Sequence, residues 1–232
     1  MENKFNIDEV REFWDKVAPI YEPANKKVGY IHYQRFEKTI ELGNIQPDQK
    51  ILNIWSRTGS LIPYLRKTEN LTILNREVSP EFIKIAKSKF SNEDFQQTDL
   101  EDLSEFEDNS FDRIISLETL EHTPKPLTFL KELKRTLKPD GLLIMSLPPK
   151  GFEIITRIYD ALGNNHGEGP HLFLNPNIVK DLALRAGLKI IKHKPFIMLP
   201  IFARQSEKIL TFLFGKTFLA NFGVRHFYIF TK

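Results

Sequence analysis

The chain of 232 residues contains no cysteine. This excludes disulfide bonds, thiolate metal ligands and a cysteine nucleophile, and it fits a reducing compartment, so we expect a cytoplasmic protein. The first residues, MENKFNIDEVREF, are polar and acidic, unlike a secretory signal. No apolar run is long enough to predict a transmembrane helix.

The chain also lacks a large excess of one sign of charge. Its net charge is +3, and no dense cluster of lysine and arginine occurs, which argues against nucleic acid as a partner. With 41% hydrophobic and 27% charged residues, the composition is that of a soluble protein with enough apolar material for one core. The length suits a single α/β domain.

Glycine is scarce where a nucleotide-binding fold needs it most. Residues 50–60, KILNIWSRTGS, have the pattern of a buried strand that runs into a turn and a helix. In a doubly wound α/β fold this first strand-to-helix turn holds the ligand, and glycines let its backbone bend and approach that ligand. Here only Gly59 is present, and Trp55 and Arg57 stand where glycines are expected.

Apolar segments alternate with amphipathic ones, which predicts an α/β fold with a doubly wound, mostly parallel sheet and helices on both faces. A helical region at 7–43 is expected to be interrupted at Pro19 and Pro23 and to end with Gly43 as its C-cap. The predicted strands are 50–54, 71–76, 94–97, 112–117, 141–147, 188–195 and 225–231, and the predicted helices are 60–67, 80–90, 125–137 and 176–186.

Polar residues follow the predicted strands at their carboxyl ends, where such sheets bind ligands. Glu77 ends the second strand, at the place where an acidic residue commonly accepts hydrogen bonds from ribose hydroxyls; a helix-dipole role is the simpler alternative. Asp99 follows the third strand, although it also belongs to an acidic run typical of a solvated loop. Glu118 and His122 follow the fourth strand, and their spacing also permits a pairing on one helical turn.

Three motifs, ILNIWSRTGS, REVSPEFIKIAK and the block from TDLEDLSEF to LKPDGLLIMSLP, follow one another within residues 45–150. In this order they resemble class I S-adenosylmethionine-dependent methyltransferases of the type 11, small-molecule and sugar-modifying sort. The resemblance implies a Rossmann-like sheet of seven strands with an antiparallel last strand, which HFYIFTK fits. It also implies a helical cap at 1–44, a cofactor-binding core at 45–150, an acceptor-site insertion and C-terminal part at 151–224, and a final strand at 225–232.

The resemblance further assigns residues to the cofactor S-adenosylmethionine. The turn from Asn53 to Gly59 would surround its methionine part, Glu77 would hold the ribose hydroxyls, and Asp99 would accept from the adenine amino group. Leu117 would border the methyl-transfer cavity. The implied set is Tyr21, Asn53, Trp55, Arg57, Gly59, Glu77, Val78, Asp99, Leu100, Leu117 and Glu118.

The turn departs from the family pattern in three side chains. Asn53 replaces an acidic residue and offers no charge to the cofactor's ammonium group. Trp55 puts an indole where the ligand needs clearance, and a positive φ there would be costly for it. Arg57 adds a cation near a sulfonium, which is unfavourable unless it pairs with the carboxylate of the ligand. Whether the cofactor binds is therefore open at this point.

A glycine-rich segment, GNNHGEGPH at 163–171, contains three candidate catalytic residues, His166, Glu168 and His171. In related methyltransferases this insertion usually recognises the acceptor, and a histidine there can take the proton of an acceptor hydroxyl. A metal site is the weaker reading, because three ligands in one loop lack a distant partner. A turn whose histidines cap the next helix is the simplest alternative.

Two functions from different classes follow. One is methyl transfer to an oxygen or nitrogen of a small molecule or of a sugar or polysaccharide intermediate; the alternative is a catalytically silent binding or scaffold subunit. An NAD-dependent oxidoreductase is disfavoured, because the glycine fingerprint is absent. The segment 196–224 is apolar with Arg204, Lys208 and Lys216 interspersed, which fits a helix on a membrane surface, a face packed on its own domain, or a homodimer.

Overall fold

The structure is a computed structural model that describes residues 2–154, 156–157, 167, 169–198 and 203–232. The strands are β1 (Lys50–Ile54), β2 (Thr72–Glu77), β3 (Asp94–Gln97), β4 (Phe111–Leu117), β5 (Leu137–Leu147), β6 (Lys189–Phe196) and β7 (Arg225–Thr231). They form one sheet of seven strands in the order β3-β2-β1-β4-β5-β7-β6. Strands β1 to β5 are parallel, and β7 is antiparallel to both β5 and β6. The predicted Rossmann-like fold with an antiparallel last strand is confirmed.

Helices cover both faces of the sheet. They are α1 (Ile7–Val28), α2 (Tyr30–Gly43), α3 (Ile62–Leu65), α4 (Pro80–Lys89), α5 (Pro126–Thr136), α6 (Pro176–Arg185) and α7 (Ala203–Phe214). Successive residues of β1 point to opposite faces, so Leu52 and Ile54 join one buried cluster while Ile51 joins the other. The carboxyl ends of β1, β2 and β4 therefore lie side by side at one edge, beneath α1.

The amino-terminal helices differ from the prediction in two places. Helix α1 continues through Pro19 and Pro23, both on its solvent side, and ends only before Gly29, which has a φ of 52°. The predicted interruption was wrong because the buried face of α1 holds the helix together, while water can reach the carbonyls that the prolines leave unpaired. The predicted C-cap was also wrong: Gly43 is helical, and Asn44 adopts the left-handed conformation.

The remaining boundaries agree closely with the sequence pattern. Helix α3 is shorter than expected, and β5 begins at Leu137 rather than at 141. Residues 138–140, between the predicted helix and the predicted strand, lie within β5, at an irregularity in its register against β4 between Phe111 and Arg113. The element order, which positions the site, is as predicted.

Candidate functional site

The turn after β1 keeps the backbone of a glycine-rich loop without most of the glycines. Trp55, Arg57 and Gly59 have φ values of 57°, 51° and 76°, all in the left-handed region. This conformation costs a residue with a Cβ roughly 1–2 kcal/mol. The surrounding structure therefore imposes the loop conformation on Trp55 and Arg57, and their side chains project from positions where the family has hydrogen atoms.

The Arg57 side chain lies inside the protein, between two indole rings. Its guanidinium carbon is 3.7 Å from the ring centre of Trp14 in α1 and 3.8 Å from that of Trp55. Arg57 is only 9% exposed, and the two indole rings meet edge to face at 6.0 Å. A cation held against aromatic rings away from water is stabilised by about 2 kcal/mol or more. Arg57 thus fills the space at the turn.

Glu77, the predicted ribose ligand, is enclosed by the backbone. It has no exposed surface, and its Oε2 accepts a hydrogen bond from the Arg57 backbone N–H at 2.7 Å. Its Oε1 accepts from the backbone N–H groups of Val78 at 3.0 Å and Ser79 at 3.1 Å. Burial raises the pKa of Glu77 to about 7, against the opposing charge of Arg57. Both carboxylate oxygens are therefore already in use within the fold.

Asn53 and Tyr21 are likewise engaged in internal hydrogen bonds. The Asn53 side-chain amide donates to Asn75 Oδ1 at 2.8 Å, which links β1 to β2 inside the protein. The Tyr21 hydroxyl accepts from Arg35 Nη2 at 2.9 Å, which ties α1 to α2. Arg35 had no distinguishing signal in the sequence, because an arginine in an amphipathic helix is usually exposed.

The other predicted cofactor contacts occupy the same edge of the sheet. Asp99 is exposed, and its Oδ1 accepts from the backbone N–H of Glu101 at 2.8 Å, while Leu100 is fully buried. Glu118 has a φ of 55°, accepts from Ser146 Oγ at 2.8 Å and lies 3.3 Å from Arg225 Nε. Its suggested pairing with His122 was wrong, because the chain turns away from a regular α-helix after β4.

Two histidines adjoin the aromatic cluster around Arg57. The buried His122 ring lies 4.9 Å from that of Trp55, and its Nδ1 is 2.9 Å from the Pro170 carbonyl oxygen. Burial, followed by the Arg57 charge, holds the pKa of His122 well below its ordinary value. The ring of His171 lies 6.0 Å from that of His122, so the glycine-rich segment does reach this edge. His166 and Glu168 lie outside the described residues.

A small cavity remains between the turn, α1 and α2. Its volume is about 20 Å³, far below the roughly 300–1,000 Å³ of pockets that hold drug-sized ligands. It is lined by Tyr21, His32, Arg35, Phe36, Asn53, Trp55, Ser56, Arg57, Ser60, Leu61 and Leu117. This arrangement does not fit S-adenosylmethionine: Arg57 and Trp55 occupy the turn, and the ribose-binding carboxylate is inaccessible.

The described part of the chain offers neither a metal site nor a membrane-spanning helix. It contains no group of three or more histidine, cysteine, aspartate or glutamate side chains placed to hold a metal ion. Within the same residues, no helix combines the length and apolarity needed to cross a bilayer.

Comparison with known proteins identifies the family. A family described as "Methyltransferase domain" matches residues 52–145. A demethylmenaquinone methyltransferase of Renibacterium salmoninarum is 28% identical over 178 residues, which cover 72% of this chain and 74% of the relative. Among solved structures, a putative methyltransferase complex with the Trm112 activator of Haloferax volcanii superposes with a TM-score of 0.72 at 16% identity, covering 95% of this chain and 97% of the other.

The same fold also occurs in a protein named for a different reaction. The [4+2]-cyclase SpnF superposes with a TM-score of 0.72 at 13% identity, covering 100% of this chain and 98% of the other. These structural likenesses show the fold. Together with the family match they confirm the family that the motifs resemble, for which S-adenosylmethionine is the implied cofactor. The chain carries a methyltransferase domain at residues 52–145 and has the Rossmann-like fold of S-adenosylmethionine-dependent methyltransferases.

Proposed function

We propose that this chain is a catalytically silent member of its family, kept as a binding or scaffold subunit. The observation that carries the proposal is the Arg57 guanidinium enclosed between Trp14 and Trp55. A fold does not by itself determine an activity, because the activity depends on the site built on it. Here the site that would hold the methyl donor is filled by the protein's own side chains.

Moving the two side chains out of the turn costs free energy that would weaken ligand binding. To bind there, S-adenosylmethionine must move Arg57 away from two aromatic rings, a contact worth about 2 kcal/mol or more at a desolvated site. A cost of about 2 kcal/mol weakens binding roughly thirtyfold. Trp55 adds to this cost, because its indole is 2% exposed and has no space to move into without repacking.

A calorimetric titration tests the silent role directly. We expect no heat of binding from either S-adenosylmethionine or S-adenosylhomocysteine at millimolar concentration with the full chain. Circular dichroism on the same sample establishes that the protein is folded. A dissociation constant in the micromolar range for either ligand contradicts the proposal.

A second candidate is methyl transfer to an oxygen or nitrogen of a small molecule or sugar intermediate. It is supported by Glu77 and Asp99, which retain their places at the ends of β2 and β3, and by the named activity of the demethylmenaquinone methyltransferase relative. In this candidate Arg57 leaves the turn, and His171, with His166 and Glu168, serves the acceptor. If the titration detects binding, Glu77→Ala should weaken it; an unchanged affinity refutes the ribose assignment.

The carboxyl-terminal helical segment exposes apolar side chains to solvent. Phe212 is 86% exposed, and Leu213 and Phe218 are also exposed. Arg204, Lys208 and Lys216 are exposed in the same segment, at 203–222. We propose that this surface binds an anionic membrane, because apolar side chains bordered by cations suit the interface of acidic lipids.

Vesicle flotation tests the membrane proposal. The protein should float with vesicles of phosphatidylglycerol and not with phosphatidylcholine alone, because the cations contribute about 1 kcal/mol each near an acidic surface. Phe212→Ser together with Phe218→Ser should weaken binding at least tenfold, whereas Leu184→Ser, at an exposed position on α6, should not. Failure to float, or dimerisation that disappears in the double variant, contradicts the membrane role.

A further inference from the structure

Several buried hydrogen-bond donors around the cavity lack acceptors. Within the described part of the chain, no partner is found for Arg35 Nε, Trp55 Nε1, Ser56 Oγ or Arg57 Nη1. All four residues line the cavity between the turn, α1 and α2, and each is more than nine-tenths buried. Buried polar groups in folded proteins almost always have partners, so a cluster of four in one place requires an explanation such as a bound ion or water.

The cavity also brings two guanidinium groups together. Arg35 comes from α2 and Arg57 from the turn after β1. Burial lowers the pKa of Arg57, and the charge of Arg35 adds to this to a smaller extent. Arg35 Nη2 donates to the Tyr21 hydroxyl and lies 3.2 Å from His32 Nε2. Among the described residues, no carboxylate oxygen lies within salt-bridge distance of either guanidinium. A buried cation without such a contact is unfavourable, and this holds most for Arg57, whose pKa burial lowers.

None of the nearby carboxylates in the described residues makes a direct contact with the guanidinium group of Arg35 or Arg57. Glu77 is held by three backbone N–H groups. Glu118 contacts Ser146 and Arg225. Burial opposes the charge of Arg35, but Tyr21, Glu118 and the more weakly acting Glu121 hold its pKa above the ordinary value. Burial lowers the pKa of Arg57, although Tyr21, Glu77 and Glu121 favour its protonated form. A bound water would satisfy donors without supplying charge, whereas an anion does both.

We propose that this cavity binds a small oxyanion, a carboxylate or phosphate group, between Arg35 and Arg57. A guanidinium presents parallel N–H donors whose spacing matches the oxygens of such groups, and Trp55 Nε1 and Ser56 Oγ add neutral donors. This proposal rests on the proposed function, because the Arg57 side chain and S-adenosylmethionine cannot occupy the turn at the same time. The changes at Asn53, Trp55 and Arg57 then have one common effect. They remove an acidic side chain and add N–H hydrogen-bond donors, so the site favours an anionic ligand over a cationic one.

Titration of the full chain with inorganic phosphate, sulfate, acetate and succinate tests the site, with sodium chloride at equal ionic strength as the reference. We expect saturable binding and a rise in melting temperature with at least one oxyanion at concentrations where chloride has no effect. Response to phosphate and sulfate alone identifies a phosphate-type ligand, and response to acetate or succinate alone identifies a carboxylate.

Variants locate the site. Arg57→Met should weaken oxyanion binding at least tenfold, and the nearly isosteric Ser56→Ala should weaken it severalfold while leaving the fold intact. Arg185→Met, at an exposed arginine on α6, is the matched control and should bind as the parent does. No saturable oxyanion binding, or the same affinity in Ser56→Ala and Arg57→Met as in the parent, overturns the proposal.

Parallel titration with S-adenosylmethionine separates this proposal from the proposed function. If neither ligand type binds, the oxyanion site is refuted while the silent role stands. If S-adenosylmethionine binds and no oxyanion does, both are refuted. Oxyanion binding that S-adenosylmethionine does not displace supports both.

Discussion

Replacing Trp55 and Arg57 together with glycine is expected to create S-adenosylmethionine binding in a protein that otherwise shows none. The backbone at both positions already has the positive φ that glycine adopts without strain, at 57° and 51°. Removing the two side chains opens the turn and breaks the contact of the guanidinium with Trp14. We expect the affinity to rise at least thirtyfold, the reverse of a cost of about 2 kcal/mol.

The stability of this double variant must be followed in the same experiment. Loss of the buried indole costs about 3–5 kcal/mol, and relief of left-handed strain returns roughly 1–2 kcal/mol at each position. Loss of the contact between Arg57 and Trp14 adds about 2 kcal/mol, so the relieved strain offsets only part of the loss, and urea unfolding should still show a cooperative transition. Saturating S-adenosylmethionine should then raise the melting temperature of the variant but not of the parent.

Two controls make the result specific. Asn70→Gly relieves a left-handed residue with a φ of 54° at a distant turn and should not create binding. Arg57→Lys keeps a long cation in the turn and should leave it closed. A folded double variant that still fails to bind shows that the turn is not the obstacle, and the silent role then needs another cause.

Trp14→Ala is expected to produce the largest loss of stability, about 3–5 kcal/mol of unfolding free energy. Trp14 is 2% exposed and contacts the rings of Trp55, Phe82 and His122, at 6.0, 6.2 and 5.5 Å between centres. It also covers one side of Arg57. Because the free energy of unfolding of a native protein is only about 5–15 kcal/mol, this change removes a large part of the stability.

A double-mutant cycle separates the cation contact from packing. Trp14→Phe keeps an aromatic ring and should cost less than Trp14→Ala, as measured by urea unfolding. Combined with Arg57→Met, Trp14→Ala should cost less than the sum of the two single changes, with a coupling of about 0.5–2 kcal/mol. Additive effects contradict the view that the two side chains stabilise each other.

Part of the site was visible in the sequence because it depends on neighbouring residues in one strand and turn. The burial of β1, the position of Glu77 at the end of β2 and the conflict of Trp55 with a positive φ all follow from local pattern. The course of α1 was not visible in this way, because the effect of Pro19 depends on what packs against the opposite face of the helix.

The sequence alone determined the succession of strands and helices along the chain and the resemblance to methyltransferases. It also determined the loss of an acid and of glycines at Asn53, Trp55 and Arg57, since each of these is a matter of residue type and spacing. Where the Arg57 guanidinium lies was decided by the tertiary structure. Its neighbours, Trp14 from α1 and the cavity residue Arg35 from α2, come from segments that meet the turn only when the helices pack on the sheet. Burial, and with it the energy of each charge, depends on that packing and not on local sequence.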